Sequence, residues 1–347
     1  MNGKDQKNNF SYNLISWHKK NGRHNLPWQF KINPYKIWVS EIMLQQTQVK
    51  TVLPYYKKFI KKYPSIKELS NSPLDDVLKL WAGLGYYRRA SNLHKSSKII
   101  KKQYKYNFPK IYDEIIKLPG IGKSTAGAIM SLAYNKKYPI LDGNVKRVIK
   151  RYFAVRGIEN LEKHLWFLSE SLLPNKNNDI YTQSIMDLGS LICTKSNPDC
   201  EICPVQNNCK SYKLNLTNQI PEKLAPKKKQ EIKLYLLLIQ NSLNSNFILM
   251  KKNSSTGIWA NLWNLPDFSS KSIYMNFLRT NKISNKIVIY QNFTHNLTHI
   301  KMDISVIKTE SVNNIITDNY YWKNIYDNIA SSKPVKSVIK KLVEELS

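Results

Sequence analysis

Two carboxylates and four thiols in this 347-residue chain have the surroundings that chemistry needs. Glu41 lies in WVSEIML, with Ile37, Trp38 and Val39 before it and Ile42, Met43 and Leu44 after it. A carboxyl among so many apolar groups holds its proton more tightly than in water and can deliver it near neutrality. Asp142 lies in PILDGNVKRV, where Pro139 and Gly143 interrupt the helical pattern, and it is expected to cap a helix over 144–152. Upstream, Pro119, Gly120 and Gly122 in LPGIGKSTAGAI form a tight turn ahead of a helix starting near Ser124. Unpaired N–H groups at such a helix start suit a phosphate, and glycine leaves room for close approach. All four cysteines fall in the pattern Cys193-x6-Cys200-x2-Cys203-x5-Cys209. Clustered thiolates with a C-x2-C core hold either Zn²⁺ or a [4Fe–4S] cluster, and spacing alone does not choose between them.

Other segments carry polar and aromatic groups in pairs. Leu26, Trp28 and Gln29 sit in a loop and could line a pocket for a base, or Trp28 could simply anchor that loop to the core. Glu41, Gln45 and Gln48 share one face if the helix runs on through them, and the glutamine amides there can bond base edges. GLGYYRRA, residues 83–90, sets two tyrosines directly before two arginines. Rings that stack on bases beside phosphate-pairing guanidiniums are what a nucleic-acid contact loop needs.

These groups must be positioned by larger elements. Helical periodicity is expected over 10–20, in one long helix from Pro34 to Tyr63, and over 74–84, 91–104, 161–173 and 180–191. The stretch 215–232, NLTNQIPEKLAPKKKQEI, reads as a linker. Beyond it come short β-rich runs at 233–240, 246–251, 286–293 and 299–309, then an amphipathic helix at 334–346. An all-helical domain over 1–214 containing the cysteine loop, followed by a smaller α+β domain over 233–347, is therefore expected. The net charge of +30, from 54 Lys and Arg against 24 Asp and Glu, suits a polyanion, nucleic acid before membrane. An AT-rich genome also enriches Asn, Ile, Tyr and Lys, so the charge is supporting evidence only. MNGKDQKNNFSYN has no apolar core for a signal peptide, and no apolar run approaches a membrane span. A cytoplasmic or nucleoid-associated protein is expected.

VSEIMLQQTQV, GLGYYRRA, LPGIGKSTAGAI, LDGNVKRV and the cysteine loop, in this order over residues 10–212, resemble the MutY-type adenine DNA glycosylases of the helix-hairpin-helix base-excision superfamily. Residues 233–347 are more weakly similar to that family's C-terminal domain, a Nudix-type fold that reads 8-oxoguanine. No Nudix box of clustered glutamates is found in the sequence, so recognition without hydrolysis is implied.

The resemblance implies a DNA repair enzyme that removes adenine mispaired with 8-oxoguanine or guanine. Glu41 then protonates adenine N7 and later activates or guides water, Asp142 stabilises the oxocarbenium-like sugar or briefly traps it, and Asn144 supports Asp142. Leu26, Trp28 and Gln29 lie near the extruded adenine. Gln46 and Tyr86 fill the gap it leaves. Gln45, Arg88, Gly120, Gly122 and Ser124 complete the DNA contacts. Cys193, Cys200, Cys203 and Cys209 hold a [4Fe–4S] cluster in preference to zinc. Double-stranded DNA is the implied partner and a monomer the implied state.

The related endonuclease III branch carries a lysine nucleophile where Ser124 stands, and Lys123 is one residue early. A serine forms no Schiff base, so an enzyme without lyase activity is implied. A non-catalytic iron–sulfur DNA-binding module would need neither Glu41 nor Asp142. One departure lies in the second domain, where the family's Phe-Ser-His appears as Leu297-Thr298-His299. Threonine keeps the hydroxyl, whereas losing phenylalanine weakens discrimination against plain guanine.

Overall fold

A computed structural model describes residues 3–157, 159–222, 229–284, 286–311 and 319–347, with backbone alone over 3–9. The expected linker at 215–232 lies in part, over 223–228, outside the described residues. Two units emerge, one from Met1–Asn71 with Asn92–Leu224 and the other from Ser72–Ser91 with Ala225–Ser347.

The helices, in chain order, are α1 (Gly3–Asn21), α2 (Pro34–Leu44), α3 (Val49–Lys62), α4 (Ile66–Asn71), α5 (Leu74–Trp81), α6 (Arg88–Tyr104), α7 (Tyr112–Ile115), α8 (Lys123–Tyr134), α9 (Gly143–Phe153), α10 (Leu161–Ser171), α11 (Asn178–Leu191) and α12 (Lys210–Lys213). Helix α9 shows why such segments form. Val145, Val148, Ile149 and Tyr152 recur at helical spacing, all are buried, and Asp142 caps the start. At about 1.5–3 kcal/mol for each large apolar side chain buried, that stripe outweighs the modest propensity of its β-branched residues. It packs with Phe10 and Leu14 of α1 and with Tyr181, Ile185 and Leu188 of α11. A charge at Val148 would break this core.

One expectation fails here. The segment 34–63 is not one helix: α2 stops at Leu44, Gln46 takes a left-handed φ of 57°, and α3 begins after Gln48. The reason is tertiary. The Gln45 side-chain amide donates to Gly120 O and to Thr125 Oγ1, both at 3.2 Å, which draws the chain out of helical phase. Glu41, Gln45 and Gln48 therefore do not share a helix face.

The second unit is built on a mixed sheet. Strands β1 (Gln230–Asn241), β2 (Phe247–Lys252), β3 (Trp263–Asn264), β4 (Asp267–Phe268), β5 (Val288–Asn296), β6 (Ile300–Ser311) and β7 (Tyr320–Asn324) give the order β3-β2-β1-β6-β5, with β4 on β1 and β7 on β2. The β1–β6 pair is parallel from Gln230↔Ile300 to Asn241↔Ser311, and the other pairs are antiparallel. Leu236 to Gln240 are buried without a break, because both faces of β1 are covered. Leu236 and Leu238 pack with Val335, Val338 and Leu342 of α14 (Lys333–Leu346). Leu237 and Ile239 pack with Tyr274 and Leu278 of α13 (Lys271–Thr280). The expected α+β character of this part is what the structure has.

Candidate active site

Glu41 is placed by α2. Asn33 caps that helix, accepting from the backbone N of Tyr35 at 2.9 Å and of Lys36 at 3.3 Å, and Pro34 opens it. Ile37, Trp38, Val39, Ile42 and Met43 are buried around the acid. This apolar wall pushes the Glu41 carboxyl from the usual 4.5 to about 8, chiefly by burial and then through the negative charge of Asp142. Glu41 therefore keeps its proton at neutral pH.

Asp142 is placed by α9, whose cap it forms: its Oδ1 accepts from Val145 N at 2.8 Å. Burial raises this carboxyl too, while the backbone N–H groups of Val145 and Asn144 and the charges of Arg147 and Lys146 pull the other way. These donors favour the anion at Asp142, whereas burial and the charge of Asp142 both favour the neutral acid at Glu41. Burial raises both carboxyls; the charge of Asp142 adds to the rise at Glu41, whereas the donors and cations around Asp142 act against its own. Asn144 does not bond Asp142 through its side chain. Its Oδ1 accepts from Arg147 Nη2 at 2.9 Å, and Arg147 Nε donates to Cys193 O at 2.7 Å. Arg147 thus ties the turn after Asp142 to the first cysteine, and nothing in the sequence pattern singled it out.

The turn before α8 has the expected form. Gly120 has φ +85°, and a Cβ there would come within 2.9 Å of Asn92 Cβ. Gly122 caps α8 without a side-chain bond, so the first N–H groups of the helix are left for an incoming acceptor. The Ser124 hydroxyl accepts from Leu141 N at 3.0 Å, fixing the residue before Asp142. The ammonium of Lys123 lies 4.2 Å from the Trp166 ring centroid on α10. Gln46 is exposed at its positive φ.

Trp28 and Gln29 line a cavity together with His18, His24, Ile37 and Gln183, while Leu26 is buried beside it. Trp28 packs edge-on against Tyr56 at 5.1 Å and also lines the cavity. Gln29 steadies its own loop, accepting from Leu26 N at 3.1 Å and donating to Arg23 O at 2.8 Å. Behind the cavity stands a group that the sequence reading missed. Asp187 of α11 accepts from Arg23 N at 2.8 Å, from Arg23 Nε at 2.9 Å and from Gln183 Nε2 at 2.9 Å, with His18 Nε2 3.3 Å away. A lone acid in the apolar run IMDLGSLIC was the available signal, the same one that marked Glu41.

Cys193, Cys200, Cys203 and Cys209 line one cavity beside Arg151 and Tyr212. Arg151 Nη1 lies 3.4 Å from Cys193 Sγ, and its Nε donates to Ile220 O at 2.7 Å. Burial, with the neighbouring thiols, pushes Cys203 up to about 12 and raises Cys200 and Cys209. Among the described residues no three His, Cys, Asp or Glu side chains form a set that could hold a metal ion. As a donor set, four soft thiols around one cavity are chemically suited to an iron–sulfur cluster.

In the second unit Tyr86 is half exposed at φ +50°, its ring 5.3 Å from the Arg89 guanidinium, and Arg88 is exposed. Thr298 and His299 are exposed in the turn between β5 and β6, closed by Leu297 N donating to Ile300 O at 2.8 Å.

The sequence profile of the HhH-GPD superfamily base excision DNA repair proteins matches residues 39–171, which include both Glu41 and Asp142. The adenine DNA glycosylase of Buchnera aphidicola subsp. Baizongia pistaciae (strain Bp) is 47% identical over 305 residues, or 86% of this chain and 85% of that protein. Among solved structures, a thermostable thymine-DNA glycosylase aligns with TM-score 0.57 and 29% identity, over 61% of this chain and 98% of its own. An endonuclease III–DNA complex aligns with TM-score 0.52 and 23% identity, over 60% of this chain and 98% of its own, a likeness of fold. Identity of that extent to the Buchnera protein, with the superfamily match lying over the segments that carry both acids, places the chain in the adenine DNA glycosylase family.

Proposed function

We propose that the chain excises adenine mispaired with 8-oxoguanine or guanine in double-stranded DNA, leaving an abasic site without cutting the backbone. The observation that carries this reading is the Glu41 carboxyl, held at about 8 beside Asp142. Adenine leaves poorly as an anion. The Glu41 proton passes to N7, the N9–C1′ bond breaks with its electrons moving into the protonated ring, and the Asp142 carboxylate stabilises the cationic sugar. Water then adds at C1′ and returns its proton to Glu41. Asn144, gripped by Arg147, keeps the helix start beneath Asp142 in place.

Absence of lyase chemistry is supported by Ser124, whose hydroxyl is engaged with Leu141 N, and by Lys123, whose ammonium rests on Trp166. Leu26, Trp28 and Gln29 border the extruded base. Gln46 and Tyr86, exposed at positive φ, fill the gap in the stack. Gln45 acts by holding Gly120, while Gly120, Gly122 and the backbone of Ser124 meet a phosphate and Arg88 another. Thr298 and His299 read the base opposite adenine.

The four cysteines would hold one [4Fe–4S] cluster, which when bound would cross-link their loop and fix it beside α9. Assigning 1–214 to the glycosylase, 215–232 to a linker and 233–347 to a Nudix-like recognition domain follows this reading. So do a monomeric state and a cytoplasmic or nucleoid location. No helix among the described residues is long and apolar enough to cross a membrane.

The test is a labelled duplex with one adenine opposite 8-oxoguanine, incubated with the protein and split into two aliquots. Breakage only after hot alkali is the expected result. Breakage without alkali would restore the lyase reading, and no breakage despite tight binding would leave a non-catalytic DNA-binding module. A brown protein with thiolate-to-iron absorbance would support the cluster, and a colourless zinc-containing one would overturn it.

A further inference from the structure

Ser72–Ser91 is grouped with the sheet of the second unit and not with the helices that flank it in sequence. One set of contacts between this segment and the sheet centres on a carboxylate. Asp75, in the first turn of α5, accepts from Lys252 Nζ at one oxygen and from Trp263 Nε1 at the other, at 3.0 Å. The Lys252 ammonium lies 4.9 Å from the Trp263 ring centroid, so the three groups brace one another. Burial alone would raise the Asp75 carboxyl, but the bonds from Lys252 and Trp263 outweigh it and hold it below the usual carboxylate range. The same segment also approaches the sheet unit at Tyr87, whose Oη lies 3.5 Å from Ser331 O, and at Ser91, whose Oγ lies 3.4 Å from Asn261 Nδ2. At its tip the Tyr86 hydroxyl is 3.4 Å from Thr298 Oγ1. A long hydrogen bond between two exposed groups contributes little in water, so it does not by itself set the spacing of those side chains.

We propose that Asp75 is a positioning residue for recognition of the base opposite adenine. Its clamp on Lys252 and Trp263 locks the segment carrying Tyr86 onto the sheet carrying Thr298, so that both side chains meet that base as one rigid element. This rests on the reading that Thr298 contacts that base and that Tyr86 enters the stack beside it. Without the clamp Tyr86 still enters the stack, but its register with Thr298 is lost. The loss falls on discrimination between 8-oxoguanine and guanine more than on excision itself.

The experiment measures kcat/KM on duplexes with adenine opposite 8-oxoguanine and opposite guanine, and takes the ratio. Asp75→Asn should lower the wild-type ratio about fivefold or more, the scale of an ordinary coupling between sites. Excision opposite guanine should change far less. Lys252→Gln should do the same, and it decides the matter if Asp75→Asn does not fold. The exchanged pair Asp75→Lys with Lys252→Asp should recover part of the ratio. In a Thr298→Ala background Asp75→Asn should add nothing further, because both changes remove one shared function. A purely structural Asp75 would add its loss in either background. An unchanged ratio in both single variants overturns the proposal. A wild-type chain with no preference between the two duplexes would sink the recognition reading itself, and the clamp with it.

Discussion

Glu41 on α2 and Asp187 on α11 are each a lone acid in an apolar helix of the first unit, and their surroundings treat them differently. Asp187 has no exposed side-chain surface, yet burial is outweighed by the bonds from His18 and Arg23, which hold its carboxyl below the usual range. Its oxygens are taken up by a guanidinium, a backbone N–H and the Gln183 amide. Glu41 is also desolvated but has an anion as its electrostatic neighbour, so both influences raise it. Burial sets the size of the electrostatic problem, and the donors within reach decide its sign. The first arrangement makes a strut between α11 and the loop carrying Trp28 and Gln29. The second makes an acid.

The largest expected effect comes from removing the acid. Glu41→Gln should slow single-turnover excision by about 10²–10⁴-fold while duplex affinity stays near wild type. Retained excision would end the comparison, because Glu41 would then not be the working acid. Asp187→Ala should instead cost stability, about 3–5 kcal/mol in a urea titration, because the Arg23 guanidinium loses its buried partner. A small loss would show that solvent reaches this pair after all.

A third outcome concerns pH and rate. Since the protonated Glu41 is the working form, kcat/KM should be lost as pH rises through about 8. On the acid side it should fall as Asp142 takes up a proton, at a value displaced upward from an ordinary aspartate. An alkaline limb that persists in Glu41→Gln would belong to another group.

The smallest effect is on stability against pH, and it runs in opposite directions at the two acids. Glu41 binds its proton more tightly folded than unfolded, so the folded chain loses stability as pH rises from 4.5 towards about 8. Glu41→Gln should therefore raise Tm at about pH 8.5 and by less at about pH 5. Asp187 is depressed, so its contribution is complete above 3.8 and lost as pH falls through the folded value. The Tm deficit of Asp187→Asn should narrow only in that acid range. Parallel pH trends in the two variants would contradict the contrast.

Much of the site was legible because its signals are local. The apolar residues around Glu41, the Asp142 cap, the glycine turn before α8 and the cysteine spacing are all read within a few residues. Helix phase and capping depend on neighbours at i+3 and i+4, and the strand runs at 233–240 and 299–309 carry their own β-branched pattern. The single long helix over 34–63 failed for the complementary reason. Local periodicity favours continuation there, and only Gly120 and Thr125, far along the chain, capture Gln45 and turn the backbone aside.

By itself the sequence determined where most helical and strand segments lie, which acids sit among apolar groups, and where thiols cluster, because each depends on short-range sterics and on the water that apolar side chains exclude. Tertiary structure alone decided what those groups touch. It gave Asp187 its Arg23 partner 164 residues away, set the Ser124 hydroxyl on Leu141, and fastened Asp75 to Trp263 across 188 residues. Hydrogen bonds and ion pairs act over a few ångströms, so their partners are chosen only once packing has brought distant parts of the chain together.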